Sequence, residues 1–200
     1  MEILAEGEGE LVGWHDPDDN RAWVYENKPR GLVDKRMSVR QAVSRFVADG
    51  SFLAVGGFGH IRIPMALIYE IVRQRRRDLT VAGKTAVHDI DILIGGGCVA
   101  KVDCAYAFGH EMRGLSPAGR RAVERGEVQV VAELSNGAYQ WRFLAAMMGI
   151  PFIPMRGLMG TDTFNKSSAQ LAREPWSGKP ITLLLAAYAD GAIFHVPRCD

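Results

Sequence analysis

Apolar positions along the chain switch between two periods. Val39, Ala42, Val43, Phe46 and Val47 fall on one helical stripe, with a Ser38/Gln41 capping box before it and Gly50 closing it. Residues 51–56 are a short apolar run and predict a buried strand, followed at once by Gly56-Gly57-Phe58-Gly59. Pro64 opens a second helix with Ile68, Ile71 and Val72 inward. The alternation continues with a strand at Leu79–Ala82, a short helix from Asp89 to Leu93 stopped by Gly95-Gly96-Gly97, and a strand from Cys98 to Tyr106. Ser116-Pro117 predicts a helix ending before Gly126, and Val128–Ala132 a strand. Asn136-Gly137 reads as a tight loop, and Ala138–Met148 as a helix ended by Gly149. Phe152–Pro154 is a short extended piece, 156–179 is loop-rich, and Ile181–Ala187 and Ala192–Val196 are strand-like. Strands alternating with helices predict an α/β fold: an open, mainly parallel sheet with helices on both faces. Ligands of such sheets bind at the carboxyl ends of the strands. The glycine loop, the segments after Gly83 and Tyr106, and Ser135-Asn136-Gly137 all belong to that edge.

Residues 1–36 break the pattern and read as an N-terminal extension lying on the surface or on a partner. They carry Gly7, Gly9, Gly13 and the turn-rich run from His15 to Asn20, with Trp14, Trp23 and Val24 as anchors. Composition narrows the functional classes. The 200 residues hold 48% apolar and 24% charged residues, ordinary for a globular protein with a sizeable core. A formal net charge of +1 gives no bulk case for nucleic acid or an anionic membrane. No apolar run reaches the length of a membrane span, and the acidic start lacks the features of a signal peptide. Three cysteines without a CxxC pair read as reduced thiols of a cytoplasmic protein.

Several motifs fail in detail. Gly57-Phe58-Gly59-His60-Ile61-Arg62 has arginine where a dinucleotide fingerprint needs its third glycine. Gly83-Lys84-Thr85 lacks the first glycine of a phosphate loop, since Asp78 stands there, and reads as an ordinary loop with an exposed lysine. His88-Asp89-Ile90-Asp91 has no partner spacing for a metal; Asp89 reads as a helix cap and Asp91 as a hydrogen-bonded turn residue. Cys98 and Cys104 share a strand face and read as buried hydrophobes. Arg73, Arg75, Arg76 and Arg77 read as a solvated helix end. His60 and His110, beside glycines, are ligand candidates, whereas His195 in an apolar strand reads as a core histidine. Glu133 ends a strand at the ligand edge. Two roles stay open for it, a general base or a carboxylate bonded to loop N–H groups.

Val55-Gly56-Gly57-Phe58-Gly59 before Pro64, Asp91–Val99, and Glu133–Gly137 with Gly149–Phe152 resemble, in order, three blocks of the alpha-type subunit of family I CoA-transferases, that of glutaconate CoA-transferase in particular. The resemblance covers about residues 37–200 as one alpha-type domain, and implies that the C-terminal part of the longer family subunit is lacking. It further implies a hetero-oligomer that transfers CoA between an acyl-CoA and a carboxylic acid, with the CoA thioester as substrate and no tightly bound cofactor or metal. In the family a glutamate of the beta-type partner attacks the acyl-CoA, near a Glu-Asn-Gly motif. Here Glu26-Asn27 is followed by Lys28, so the chain alone is expected to be inactive. By resemblance Gly56, Gly57, Phe58, Gly59, His60, Ile61 and Arg62 approach CoA or its thioester. Asn136 and Gly137 lie near the reacting carbonyl, where N–H donors would stabilise an oxyanion. A relative of the same fold, a ring-cleaving hydrolase of steroid breakdown, uses an alpha-chain glutamate as base close to the Glu133 position. Carbon–carbon bond hydrolysis of a CoA ester is therefore one alternative, and a noncatalytic nucleotide-binding module another.

Overall fold

The computed structural model describes residues 1–110 and 114–199. The chain forms two compact units: residues 37–133 with 189–200, and residues 1–36 with 134–188. Elements are numbered in chain order across both.

The unit of residues 37–133 and 189–200 contains α2 (Val39–Phe46), β2 (Phe52–Val55), α3 (Met65–Arg73), β3 (Leu79–Ala86), α4 (His88–Gly95), β4 (Val99–Ala107) and α5 (Pro117–Glu124). It also holds β7 (Gln129–Glu133), β11 (Gly191–Ile193) and the two-residue pair β5 (Gly109–His110) and β6 (Gly114–Leu115). Five strands form one parallel sheet in the order β11-β2-β3-β4-β7, the parallel α/β fold expected. Its strands are near-continuous apolar runs, as a doubly covered sheet requires. Leu53, Leu79, Val81 and Val102 are fully buried against Val43, Ile68, Ile71, Ile90 and Leu93 of the helices. Cys98 and Cys104 lie in this core, as expected of small hydrophobes.

Three successive β-α-β steps, from β2 through β3 and β4 to β7, build the sheet in one direction. β11 arrives from the far end of the chain and pairs on the other side of β2. The strand order therefore reverses between β2 and β11, and that reversal is where a parallel sheet opens a crevice. Asp190 locks the pairing at its start: its carboxylate accepts from Phe52 N at 2.8 Å and its own N–H donates to Phe52 O at 2.9 Å.

Three local readings change. β3 runs through Gly83-Lys84-Thr85 to Ala86, so this is strand rather than loop. Asp91 is no turn residue. It sits in α4 and its Oδ1 accepts from Ala118 N and Gly119 N, at 2.9 and 2.8 Å, capping α5 from outside where Ser116 makes no side-chain cap. Asp89 Oδ1 accepts from Val87 N at 2.9 Å at the start of α4, a capping bond, but the side chain is buried. Burial pushes its carboxyl above the usual aspartate range.

The unit of residues 1–36 and 134–188 contains β1 (Ile3–Glu6), α1 (Pro17–Asn27), α6 (Asn136–Met148), β8 (Phe152–Met155), α7 (Asp162–Asn165), β9 (Gln170–Arg173) and β10 (Pro180–Leu185). Its sheet is antiparallel, in the order β1-β9-β10-β8. The first residues join it as an edge strand. Gly7 and Gly9 then run so close to Ser167 that a Cβ on either would meet its backbone within 2.5 Å. α6 packs on β8 and β10, and carries the buried Arg142, whose guanidinium donates to Val12 O and Leu185 O.

Asp91→Ala is expected to cost about 1–2 kcal/mol by orphaning two amides of α5, read as a lower urea midpoint at unchanged slope. For Asp89, a raised carboxyl value means stability is fullest while the group is protonated and is lost as pH rises through that value. Asp89→Asn keeps the acceptor and removes the charge. Its stability relative to the parent should therefore grow between pH 3 and pH 7 in chemical denaturation; a constant difference would contradict the buried-charge cost.

Candidate active site

The Gly56–Arg62 segment leaves the carboxyl end of β2 and is held by three sets of backbone bonds. Gly56 N donates to Ile193 O of β11 at 2.8 Å, and Gly59 N to Thr85 O of β3 at 3.0 Å. Phe58 and Ile61 exchange N–H···O bonds at 3.0 and 2.9 Å, closing a four-residue turn. Glycine is required at two places. A Cβ on Gly56 would stand 2.7 Å from the Phe194 Cβ, and Gly57 has φ +129°, a conformation side chains rarely adopt. Two non-glycine residues also take left-handed backbone here, Arg62 at φ 57° and Thr85 at φ 52°. The kink at Thr85 turns its carbonyl to Gly59, so strain in β3 supports the loop.

The loop opens onto a cavity of about 460 Å³, in the range of small-molecule sites. Its polar wall is His60 and Arg62 from the loop, His88 from the start of α4, His195 after β11, and Tyr69 of α3. Ile63, Met65 and Ile92 supply the apolar part. The His60 and His88 rings lie 4.5 Å apart, tilted by 45°. His195 is thus exposed on the cavity, not a core histidine, because β11 ends at Ile193 and leaves it beyond the sheet. Among the described residues no acidic side chain lines the cavity, so its electrostatics favour an anionic or polarised carbonyl-bearing ligand. The first turn of α3 faces the same region through Met65 and has no side-chain cap. Phe58 is exposed, and the Lys84 ammonium lies 4.5 Å from its ring centroid, which places Lys84 against the loop instead of free in solvent. Ile61, of the same loop, is 63% exposed.

Glu133 is exposed at the last position of β7, in register with Cys104 of β4. The thiol is no nucleophile: burial, then the charges of Asp103 and Glu133, push it up to about 12. Cys98 is raised by burial as well. Asn136 and Gly137 belong to the other unit and are not a tight loop. They form the first turn of α6, exposed, behind an N-cap in which Ser135 Oγ accepts from Ala138 N at 3.2 Å. A capping serine makes helix begin at Asn136, and the space around Gly137 is open. His110 occupies β5; residues 111–113 beyond it lie outside the described residues.

Structure therefore brings together Gly56–Arg62, His88, Tyr69 and His195. Sequence reasoning missed the last three as site residues. His88 and His195 each stand just past or at the end of a parallel strand, a positional signal that strand order makes readable.

A Coenzyme A transferase family profile matches residues 36–200. An uncharacterized protein of Archaeoglobus fulgidus is 62% identical over the whole chain, which spans 45% of that protein. The alpha-type subunit of the 3-oxoadipate CoA-transferase of Pseudomonas knackmussii is 30% identical over 82% of this chain and 58% of its own length. A cholesterol ring-cleaving hydrolase IpdA subunit of Rhodococcus jostii is also 30% identical, over 84% and 58%. The crystal structure of glutaconate CoA-transferase from Acidaminococcus fermentans superposes with a TM-score of 0.73 at 26% identity, covering 79% of this chain and 55% of that one. The chain thus spans about half the length of the relatives it matches. The parallel sheet, the glycine loop at its carboxyl edge and these likenesses agree, and the chain belongs to the Coenzyme A transferase family, on its alpha-type side.

Proposed function

We propose that the chain acts as the alpha-type half of a heteromeric acyl-CoA:carboxylate CoA-transferase with glutaconate-like specificity, working in the cytoplasm. The observation that carries the reading is the Gly56–Arg62 loop. It is side-chain-free where it meets β11, strained where it turns, and open to a cationic and apolar cavity at the strand-order reversal. The relatives, themselves single subunits of larger enzymes, support a partner, and the reduced thiols of Cys98 and Cys104 support the compartment.

In this reading the loop approaches the CoA thioester. His60, Arg62, His88 and His195 hold the polar end of the acyl group. The nucleophilic glutamate comes from a beta-type partner. Its carboxylate attacks the thioester carbonyl; the oxyanion collapses, and CoA leaves as thiolate. The thiolate then attacks the glutamyl carbonyl of the mixed anhydride, which expels the donor acid as its carboxylate and leaves CoA on the partner as an enzyme thioester; the acceptor carboxylate takes CoA from it by the same steps in reverse, freeing the glutamate. Asn136 and Gly137 supply N–H donors to the oxyanion, the charge on which rate enhancement depends most. Glu133 is a spectator of the transfer. In the hydrolytic reading, favoured by the IpdA likeness and by the exposed carboxylate at a strand end, Glu133 is instead the base that activates water.

Mixing the chain with its beta-type partner, an acyl-CoA and an acceptor acid, then adding borohydride, should inactivate the enzyme and leave a reduced glutamate on the partner. Turnover that survives borohydride would reject a covalent thioester. Gly57→Val, forced against the Arg62 and Ile63 backbone at φ +129°, should lower kcat/KM at least about tenfold at little cost in folding. Glu133→Gln should leave transfer within about twofold. Complete loss of turnover with CoA-ester binding retained would instead establish the hydrolytic reading.

A further inference from the structure

The same unit has a second cationic cavity, of about 630 Å³, at the opposite edge of the parallel sheet. Its lining is Val72 and Arg75, Arg76 and Arg77, which precede β3, and Gly96 and Gly97, which precede β4. The loop at Gly56 follows a strand; these residues lead into strands. In a parallel sheet the two sites are therefore at opposite ends.

A helix end explains only part of this cluster. A cation in the last turn of a helix is worth about 0.3–1 kcal/mol, and Arg73 already fills that place, paired with Glu70 at 3.1 Å. Three further arginines follow, and none of their guanidiniums is in an ion pair among the described residues. Arg76 Nε is buried with no hydrogen-bond partner, while its Nη2 reaches Gln74 Oε1 at 3.2 Å and Ser44 O at 3.4 Å. A buried unpaired donor on a charged group is costly and asks for an acceptor. Arg75 has φ 54° at the position after the C-cap of α3, where glycine is the usual residue. Arginine stands there against the local steric preference and lines the cavity. Opposite, Gly96 packs on Val72, whose methyls a Cβ would meet at 2.8–2.9 Å, and Gly97 has open space around it. The nearest carboxylate engaged with this turn, Asp49, accepts the Arg77 backbone N–H.

We propose that the cavity formed by Arg75, Arg76, Arg77, Gly96 and Gly97 is a binding site for a phosphate-bearing ligand, remote from the Gly56–Arg62 loop. Guanidiniums grip phosphate oxygens in bidentate pairs, and three arginines lining one cavity, with no carboxylate among the described residues of the lining, match a diphosphate better than a single carboxylate. The phosphates belong either to CoA itself or to a free phosphorylated compound, and both present the same chemistry.

Calorimetric titration of the full chain with inorganic pyrophosphate, ADP and CoA, at low ionic strength, tests the site. Saturable binding of pyrophosphate at one site per chain is expected. Arg75→Gln with Arg77→Gln should weaken it about tenfold or more for each lost contact, while Arg120→Gln, on α5, leaves it unchanged. Arg75→Gly should relieve the left-handed strain, raising the melting temperature while weakening pyrophosphate binding. A purely structural arginine would not separate the two readings in that way. Displacement of CoA by pyrophosphate would assign the phosphates to CoA; simultaneous binding would assign them to a separate compound. The proposal is overturned if none of the three ligands binds saturably, or if the double variant binds pyrophosphate as the parent does.

Discussion

The pairing of β11 with β2 is the constraint on which the candidate active site rests. Three parallel registers, Gly191 on Leu53, Ala192 on Ala54 and Ile193 on Val55, add a strand on the side of β2 away from β3. Without them β2 would be an edge strand, with unpaired amides and no crevice beside it. With them, the chain leaving β2 must turn between two neighbours, one on each side. It does so by donating Gly56 N to β11 and Gly59 N to β3. The absence of a side chain at Gly56 is what lets Phe194 pass. A loop tied on both sides loses little further conformational entropy when a ligand arrives, which is the condition for preorganised binding.

Much of the parallel unit was legible in the sequence, because its signals are local and agree with one another. The capping box at Ser38/Gln41 forms with both of its bonds. The apolar runs of β2, β3, β4 and β7 fall where a buried parallel strand puts them, and the glycine-led loop stands at the ligand edge. Non-local pairings were not legible. Ile3–Glu6 is a four-residue run without alternation whose partner, Gln170–Arg173, is more than 160 residues away. Nothing in either segment alone announces the pairing. Gly7 and Gly9, read as part of an extension on the surface or a partner, are points of close approach to Ser167.

The site divides in the same manner. Gly56 and Gly57 carry their reason in their identity, Gly56 through its closeness to Phe194 and Gly57 through its φ of +129°. His88 and His195 do not. An imidazole in an apolar context reads the same whether it ends a strand inside the core or just beyond it, and the end of β11 at Ile193 decides the matter. Asp91 shows the reverse error. Its acceptor role was expected but its partner, the α5 amides 27 and 28 residues ahead, depends on how α4 packs on α5.

Within the parallel unit, departures from local preference lie at the two ends of the sheet. Arg62 and Thr85 take left-handed backbone at the carboxyl edge; Arg75 and Asp78 take it at the amino edge. Between them the strands are largely buried and apolar, apart from the buried Asp103 of β4 and a register shift in each of that strand's two pairings. A parallel sheet enforces this division, because its strands and crossover helices consume their own backbone donors and acceptors in ladders. Only the turns at either end have groups left to offer, and there alone can strain be exchanged for a ligand contact. At the carboxyl edge the departures position a glycine loop and three imidazoles around a cavity. At the amino edge Arg75, Arg76 and Arg77 line another. Nothing in sheet geometry forces arginine or imidazole side chains to gather at both ends with no carboxylate among the described residues of either lining, so the make-up of each cavity has to be accounted for by what it meets.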